Sequence, residues 1–171
     1  MKRAAPAALP RRLAPPRPPV GDKRDAIMRA ATQVFAQRGF FNAQVADVAR
    51  AAGVAAGTVY LYFRSKDNLL VSVFDRTMKD AIAEGRAALV GASDPCERLS
   101  RIARLHLERL GRDRDLAVVF QVELRQSTKF MERFSSSYLR EFLGIIREAV
   151  EAGQAAGLFR RDISATTAAK I

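Results

Sequence analysis

The stretch from Val45 to Leu70, VADVARAAGVAAGTVYLYFRSKDNLL, decides the fold. It is rich in Ala and Gly and carries two tyrosines two residues apart. Val45, Val48 and Ala49 form the buried stripe of a short helix over 43–52, with Asn42 as its N-cap. Gly53 makes a tight turn. A second short helix runs over 55–62. Phe63, Arg64 and Ser65 then break the pattern, and Ser65 caps a longer helix that begins at Lys66. Leu69, Leu70, Val73, Phe74 and Met78 carry the apolar face of that helix.

Upstream, Ala26, Ile27, Ala30, Ala31, Val34 and Phe35 recur at helical spacing. Asp22 and Asp25 suit the positive end of a helix, and Gly39 follows its last turn as a stop. The first helix therefore spans 22–38. Helix, helix, glycine turn, short helix is the helix-turn-helix layout. In such a unit the last helix lies in the DNA major groove, so its outer face is polar and uncharged, or basic. Thr58 and Tyr60 fall there. Gly57 lets the backbone come close to a phosphate. Val59 and Phe63, four apart, face inward, and Tyr62 does so in part. Lys66 is placed to reach a backbone phosphate. An Ala-rich helical bundle with its tyrosines in the core is the competing account of the same stretch.

The totals agree with an anionic partner. The chain has 171 residues, 29 Lys and Arg against 18 Asp and Glu, and a formal net charge of +11. That excess fits nucleic acid, a membrane surface or an acidic ligand, and does not choose among them. Cys96 and His106 are single, so neither an internal disulfide nor a zinc site of several Cys/His ligands is expected. No run of roughly 18 apolar residues occurs, so no transmembrane helix is expected.

Residues 1–21 stand apart in composition. They hold six of the seven prolines, the bases Lys2, Arg3, Arg11, Arg12 and Arg17, and no acid. Proline at this density removes the amide donors that helix and sheet need, so the segment reads as a disordered arm. It lacks the apolar region of a secretory signal. An arm that touches DNA phosphates or the minor groove, a solvated tail and a start codon placed too early all remain open.

Taken together, Gly39-Phe40, Asp47-Val48-Ala49, Ala52-Gly53-Val54, Gly57-Thr58, Tyr60, Tyr62-Phe63 and Ser65-Lys66 stand in the register of a known signature. The segment from Asp22 to Val71 resembles the DNA-binding unit of TetR-type bacterial transcriptional regulators. The resemblance implies an all-α protein whose third helix reads operator DNA, with Thr58 and Tyr60 on the DNA and Lys66 on a phosphate. It divides the chain into the arm, a helix-turn-helix domain over 22–68 and a helical ligand-binding and dimerisation domain over 69–171. Two departures stand out. Ala43 and Gln44 replace a pair of threonines common in the family, although Gln44 still bonds a phosphate or a base edge. Ala55 stands where a capping serine is usual, and that loss is worth about 1 kcal/mol of local helix stability. With fewer polar groups, heavy reliance on phosphates and shape is expected.

In the second half, Gly91 stops a helix, Asp94 caps the next and Pro95 suits its first turn. A fifth helix over 95–110 follows. Leu116 to Ser127 is apolar on nearly every side and reads as a buried helix, with Gln121, Glu123 and Arg125 needing partners inside it. A long helix over 129–156 places Phe130, Phe134, Tyr138 and Phe142 four apart. Those aromatics are either core or the wall of a tunnel for a long apolar ligand.

This half resembles the acyl-CoA-responsive repressors of fatty-acid degradation within the same family, in DRDLAVVFQVELRQS and in AGLFRRDISATTAAKI. The resemblance implies a long-chain acyl-CoA effector and no cofactor. Leu105, Phe120, Leu124, Phe134, Tyr138 and Phe142 would line the chain's path, and Arg104, Arg109, Arg125 and Arg140 are candidates for the CoA phosphates. It also implies a cytoplasmic, nucleoid-associated homodimer built by two further C-terminal helices, which are not seen before Ile171. Either the sequence is a fragment or the dimer is lost.

A repressor of the same type with another apolar effector, such as a drug, a lipid or an aromatic compound, is the alternative. An enzyme is not expected. There is no Ser-His-Asp set, no paired carboxylates and no phosphate loop, because AAGVAAG lacks the Lys-Ser/Thr that such a loop needs. The bases are spread along the chain rather than set on one amphipathic helix, which speaks against a membrane role.

Overall fold

Eight helices make up the described part of the chain. The computed structural model describes residues 20–120 and 137–170. They are α1 (Val20–Arg38), α2 (Val45–Ala51), α3 (Ala56–Tyr62), α4 (Lys66–Ala88), α5 (Pro95–Arg112), α6 (Arg114–Val118), α7 (Ser137–Ala155) and α8 (Ala165–Ala168). The expected all-α class, with an N-terminal helix-turn-helix unit and a helical C-terminal part, is observed. Most of the arm, the second half of the helix expected at 116–127, and the start of the one expected at 129–156 lie outside the described residues. So do the candidates Leu124, Arg125 and Phe134.

The head forms around α1, whose inner face buries Ile27, Ala31, Val34 and Phe35 against Val48, Val59, Phe63 and Leu69. Phe35 meets Phe40 edge-to-face at 5.4 Å. The α2–α3 turn closes in a Schellman arrangement: Gly53 N–H donates to Arg50 O at 3.2 Å and Val54 N–H to Ala49 O at 3.0 Å. Gly53 sits at φ +67°, the left-handed conformation that favours glycine.

Local capping departs from expectation at two points. α1 starts at Val20, two residues before Asp22, so it takes in the last residues assigned to the arm. The N-cap of α2 is Gln44, not Asn42. Asp47, in the first turn of α2, accepts from Gln44 N–H at 3.2 Å and pairs with Arg38 at 2.8 Å. The carboxylate thus stabilises both the helix start and its attachment to α1. Asn42 turns back and donates to Arg38 O at 3.2 Å. Ser65 caps α4 as expected, accepting from Asn68 N–H at 3.0 Å, and Asp94 caps α5, accepting from Glu97 N–H at 2.7 Å.

α4 runs from the head into the second half, where Ile82, Ile102 and Ile145 of α4, α5 and α7 form a smaller core. Ion pairs follow its outer side. Arg76 bridges Asp25 of α1 (3.1 Å) and Asp80 (3.2 Å); Arg109 of α5 reaches Glu84 (3.0 Å); Arg86 meets Glu141 of α7 (2.8 Å). Exposed pairs of this kind contribute roughly 0–1 kcal/mol each, so the apolar contacts dominate the packing.

Candidate nucleic-acid interface and ligand cleft

α3 is held by its inner face and offers its outer face to solvent. Val59 and Phe63 are each only 1% exposed. The Arg24 guanidinium lies 5.1 Å from the centre of the Phe63 ring. Ala56, Gly57, Tyr60 and Leu61 are exposed, while Thr58 and Tyr62 are half-buried. Tyr60 is 56% exposed and Leu61 83%. Leu61 escapes the polar-residue criterion used on the sequence, yet it lies three residues from Thr58 and four from Gly57, on the same helix face. Gln44 stands exposed at the start of α2.

Gly57 is not required by the fold. Its φ is ordinary, and a Cβ built there meets nothing within 4 Å. Gly57→Ala is therefore expected to raise folding stability by about 0.5–1 kcal/mol, because alanine restricts the unfolded chain. If the α3 backbone approaches DNA closely, the same change weakens DNA binding by about tenfold, the equivalent of one lost contact. Thermal melts and DNA titrations on the same samples check both; unchanged DNA affinity would remove Gly57 from the interface.

Lys66 is engaged within the protein. Its ammonium donates to three backbone carbonyls of the α1–α2 connection: Phe40 O (2.7 Å), Ala43 O (3.0 Å) and Phe41 O (3.2 Å). It also lies 4.5 Å from the centre of the Phe40 ring. An ammonium has three N–H donors, and all three are taken. The free phosphate donor expected from the sequence is instead a clamp inside the head.

In the second half, three of the expected ligand residues converge. Leu105, Arg109 and Phe142 line a cleft between α4, α5 and α7, together with Glu84, Ile102 and His106. The spacing 102, 105, 106, 109 is one helical face. His106, an exposed residue, has its ring 6.4 Å from that of Phe142. Arg109 is 21% exposed, and its Nε is buried with no hydrogen-bond partner among the described residues. Arg104 and Arg140 are exposed and do not line this cleft. Phe120 stacks on Phe74 at 5.2 Å and joins the head core, and Tyr138 lies against both cores.

The cleft has about 30 Å³ of room. That is near one water's share of liquid volume, where drug-sized ligands occupy ~300–1,000 Å³. At this cleft the described residues leave no room for an acyl chain. On α4, burial pushes the Asp75 carboxyl above its ordinary range. Its Oδ1 has no hydrogen-bond partner among the described residues. A wider cleft of about 220 Å³ separates α1, α4 and α6, edged by Asp25, Arg29, Arg76 and Asp113. Among the described residues there is no cluster of metal-ligating side chains, and no helix is long and apolar enough to cross a membrane.

Residues 27–73 match the model of the bacterial regulatory proteins of the tetR family. The chain belongs to the TetR family. Residues 74–171 match the C-terminal region of YsiA-like proteins, so the TetR match extends past the helix-turn-helix. Among curated TetR-type relatives, the fatty acid metabolism regulator protein of Bacillus subtilis is 34% identical over 132 residues, which are 75% of this chain and 68% of that one. The fatty acid degradation regulator FadR from Bacillus halodurans superposes with a TM-score of 0.80 at 35% identity, covering 90% of this chain and 79% of its own. FadR from Bacillus subtilis, solved in complex with stearoyl-CoA, gives 0.78 at 31% identity, covering 85% and 78%. This TetR-type chain thus resembles transcriptional regulators of fatty-acid metabolism along most of its length.

Proposed function

We propose that the protein is a repressor that binds operator DNA through α3 and leaves it when a long-chain acyl-CoA binds within the helical second half. The observation that carries this reading is its likeness, over 85% of the chain, to a regulator solved with stearoyl-CoA. The convergence of Leu105, Arg109 and Phe142 on one cleft supports it, as does the unpartnered Nε of Arg109. Tyr60, Thr58, Gly57 and Gln44 would meet the DNA, with the division at 22–68 and 69–171. Tyr62 acts from its half-buried place beside Phe63. A homodimer in the cytoplasm would set two α3 helices on two half-sites about one DNA turn apart.

Saturating stearoyl-CoA is expected to lower operator affinity at least about tenfold, within the usual range of allosteric coupling. Fluorescence anisotropy on DNA recovered from a random pool measures it. Free stearate and a cationic dye serve as the other arms. Release by the dye alone would assign the site to a different apolar effector, and no release by any of them would remove effector control.

A further inference from the structure

We infer that α3 selects its DNA by apolar contact with thymine methyl groups, and that Leu61 is the residue that sets this preference. The inference rests on the reading of α3 as the DNA-facing helix and deepens it. Leu61 is 83% exposed on the same outer face as Ala56, Gly57 and Tyr60. A leucine this bare gains nothing from its own fold.

The chemistry of that face is restricted. The α3 sequence, AGTVYLY, holds no Arg, Lys, Asn, Gln, Asp or Glu. Those are the side chains that pair in bidentate or donor–acceptor fashion with G, A and C edges in the major groove. One hydroxyl on an exposed residue, that of Tyr60, and two on half-buried residues, those of Thr58 and Tyr62, remain. The only apolar group that a base edge displays in the major groove is the C5-methyl of thymine. Exposed Arg50, paired with Asp47, precedes α3 in sequence, and exposed Arg64 follows it. Exposed cations close to α3 along the chain suit a phosphate backbone better than an apolar protein surface.

Removing one methyl from such a contact weakens binding by about fourfold, the value of one buried CH₂. The test selects duplexes from a random pool with the full 171-residue chain. Each thymine of the recovered sequence is then replaced in turn by deoxyuridine, which keeps every hydrogen bond and loses only the methyl. One or two positions are expected to lose about fourfold in the wild type. Leu61→Ala is expected to melt like the wild type, because Leu61 is exposed, and to lose the thymine-over-uracil preference at one of those positions. Leu61→Gln is expected to change the base selected there.

Wild-type binding that is indifferent to deoxyuridine, or an alanine variant that keeps the full preference, overturns the inference and leaves the DNA reading standing. Failure to enrich any sequence overturns the DNA reading itself and the inference with it.

Discussion

Phe63→Ala is expected to lower folding stability by about 3–5 kcal/mol, the range for emptying a buried aromatic site. α3 has seven residues, and an isolated helix of that length does not persist in water. Its N-cap, Ala55, supplies no side-chain hydrogen bond. What holds it is the burial of Val59 and Phe63, one turn apart, in the core that α1, α2 and α4 share. Emptying the Phe63 site also withdraws the ring beneath the Arg24 guanidinium. Urea denaturation followed by circular dichroism reads the loss. Phe63→Leu, which keeps most of the volume, is expected to lose less than half as much. A loss below about 1 kcal/mol for the alanine variant would mean that α3 is fixed by something other than its inner face.

Lys66→Met comes second, at about 2–4 kcal/mol. The substitution keeps the aliphatic stem and removes the three hydrogen bonds that one charged group donates to Phe40 O, Ala43 O and Phe41 O of the α1–α2 connection. Hydrogen bonds from a charged group contribute about 1.5–3 kcal/mol each, less where water can replace them, so the three do not simply add. Lys66→Arg is expected to rescue little, because a planar guanidinium cannot converge on three carbonyls as an ammonium does. Melting curves and the salt dependence of DNA binding separate this clamp from a phosphate contact. An unchanged melt with a shallower salt slope would return Lys66 to the DNA.

Local signals were legible because their causes are local. Gly39, Gly53 and Gly91 mark turns by backbone freedom, Ser65 and Asp94 cap by reaching an amide three residues on, and the inward pair Val59 and Phe63 follows from helical period alone. The role of Lys66 was hidden because its acceptors lie 23 to 26 residues away in sequence. Gln44 rather than Asn42 caps α2 because Asp47 completes the helix start from within, a reciprocal contact that a ranking of capping residues ignores. Arg104 and Arg109 look alike in composition, but only Arg109 continues the face of Ile102, Leu105 and His106. Leu61 was missed because polarity, not exposure, was used to find the outer face.

The uninterrupted length of α4 has a mechanical consequence. One end is fastened to the head by Ser65 and Lys66, and the other packs against α5 and α7 through Ile82 and Arg86. Its 23 residues make a rod of about 34 Å. Swinging such a lever by about 5° about its far end carries the head by about 3 Å. Successive base pairs are separated by ~3.4 Å. A side-chain rearrangement near Arg109 that tilts α4 by a few degrees therefore displaces α3 by nearly the distance of one base-pair step, with no helix in the head changing shape.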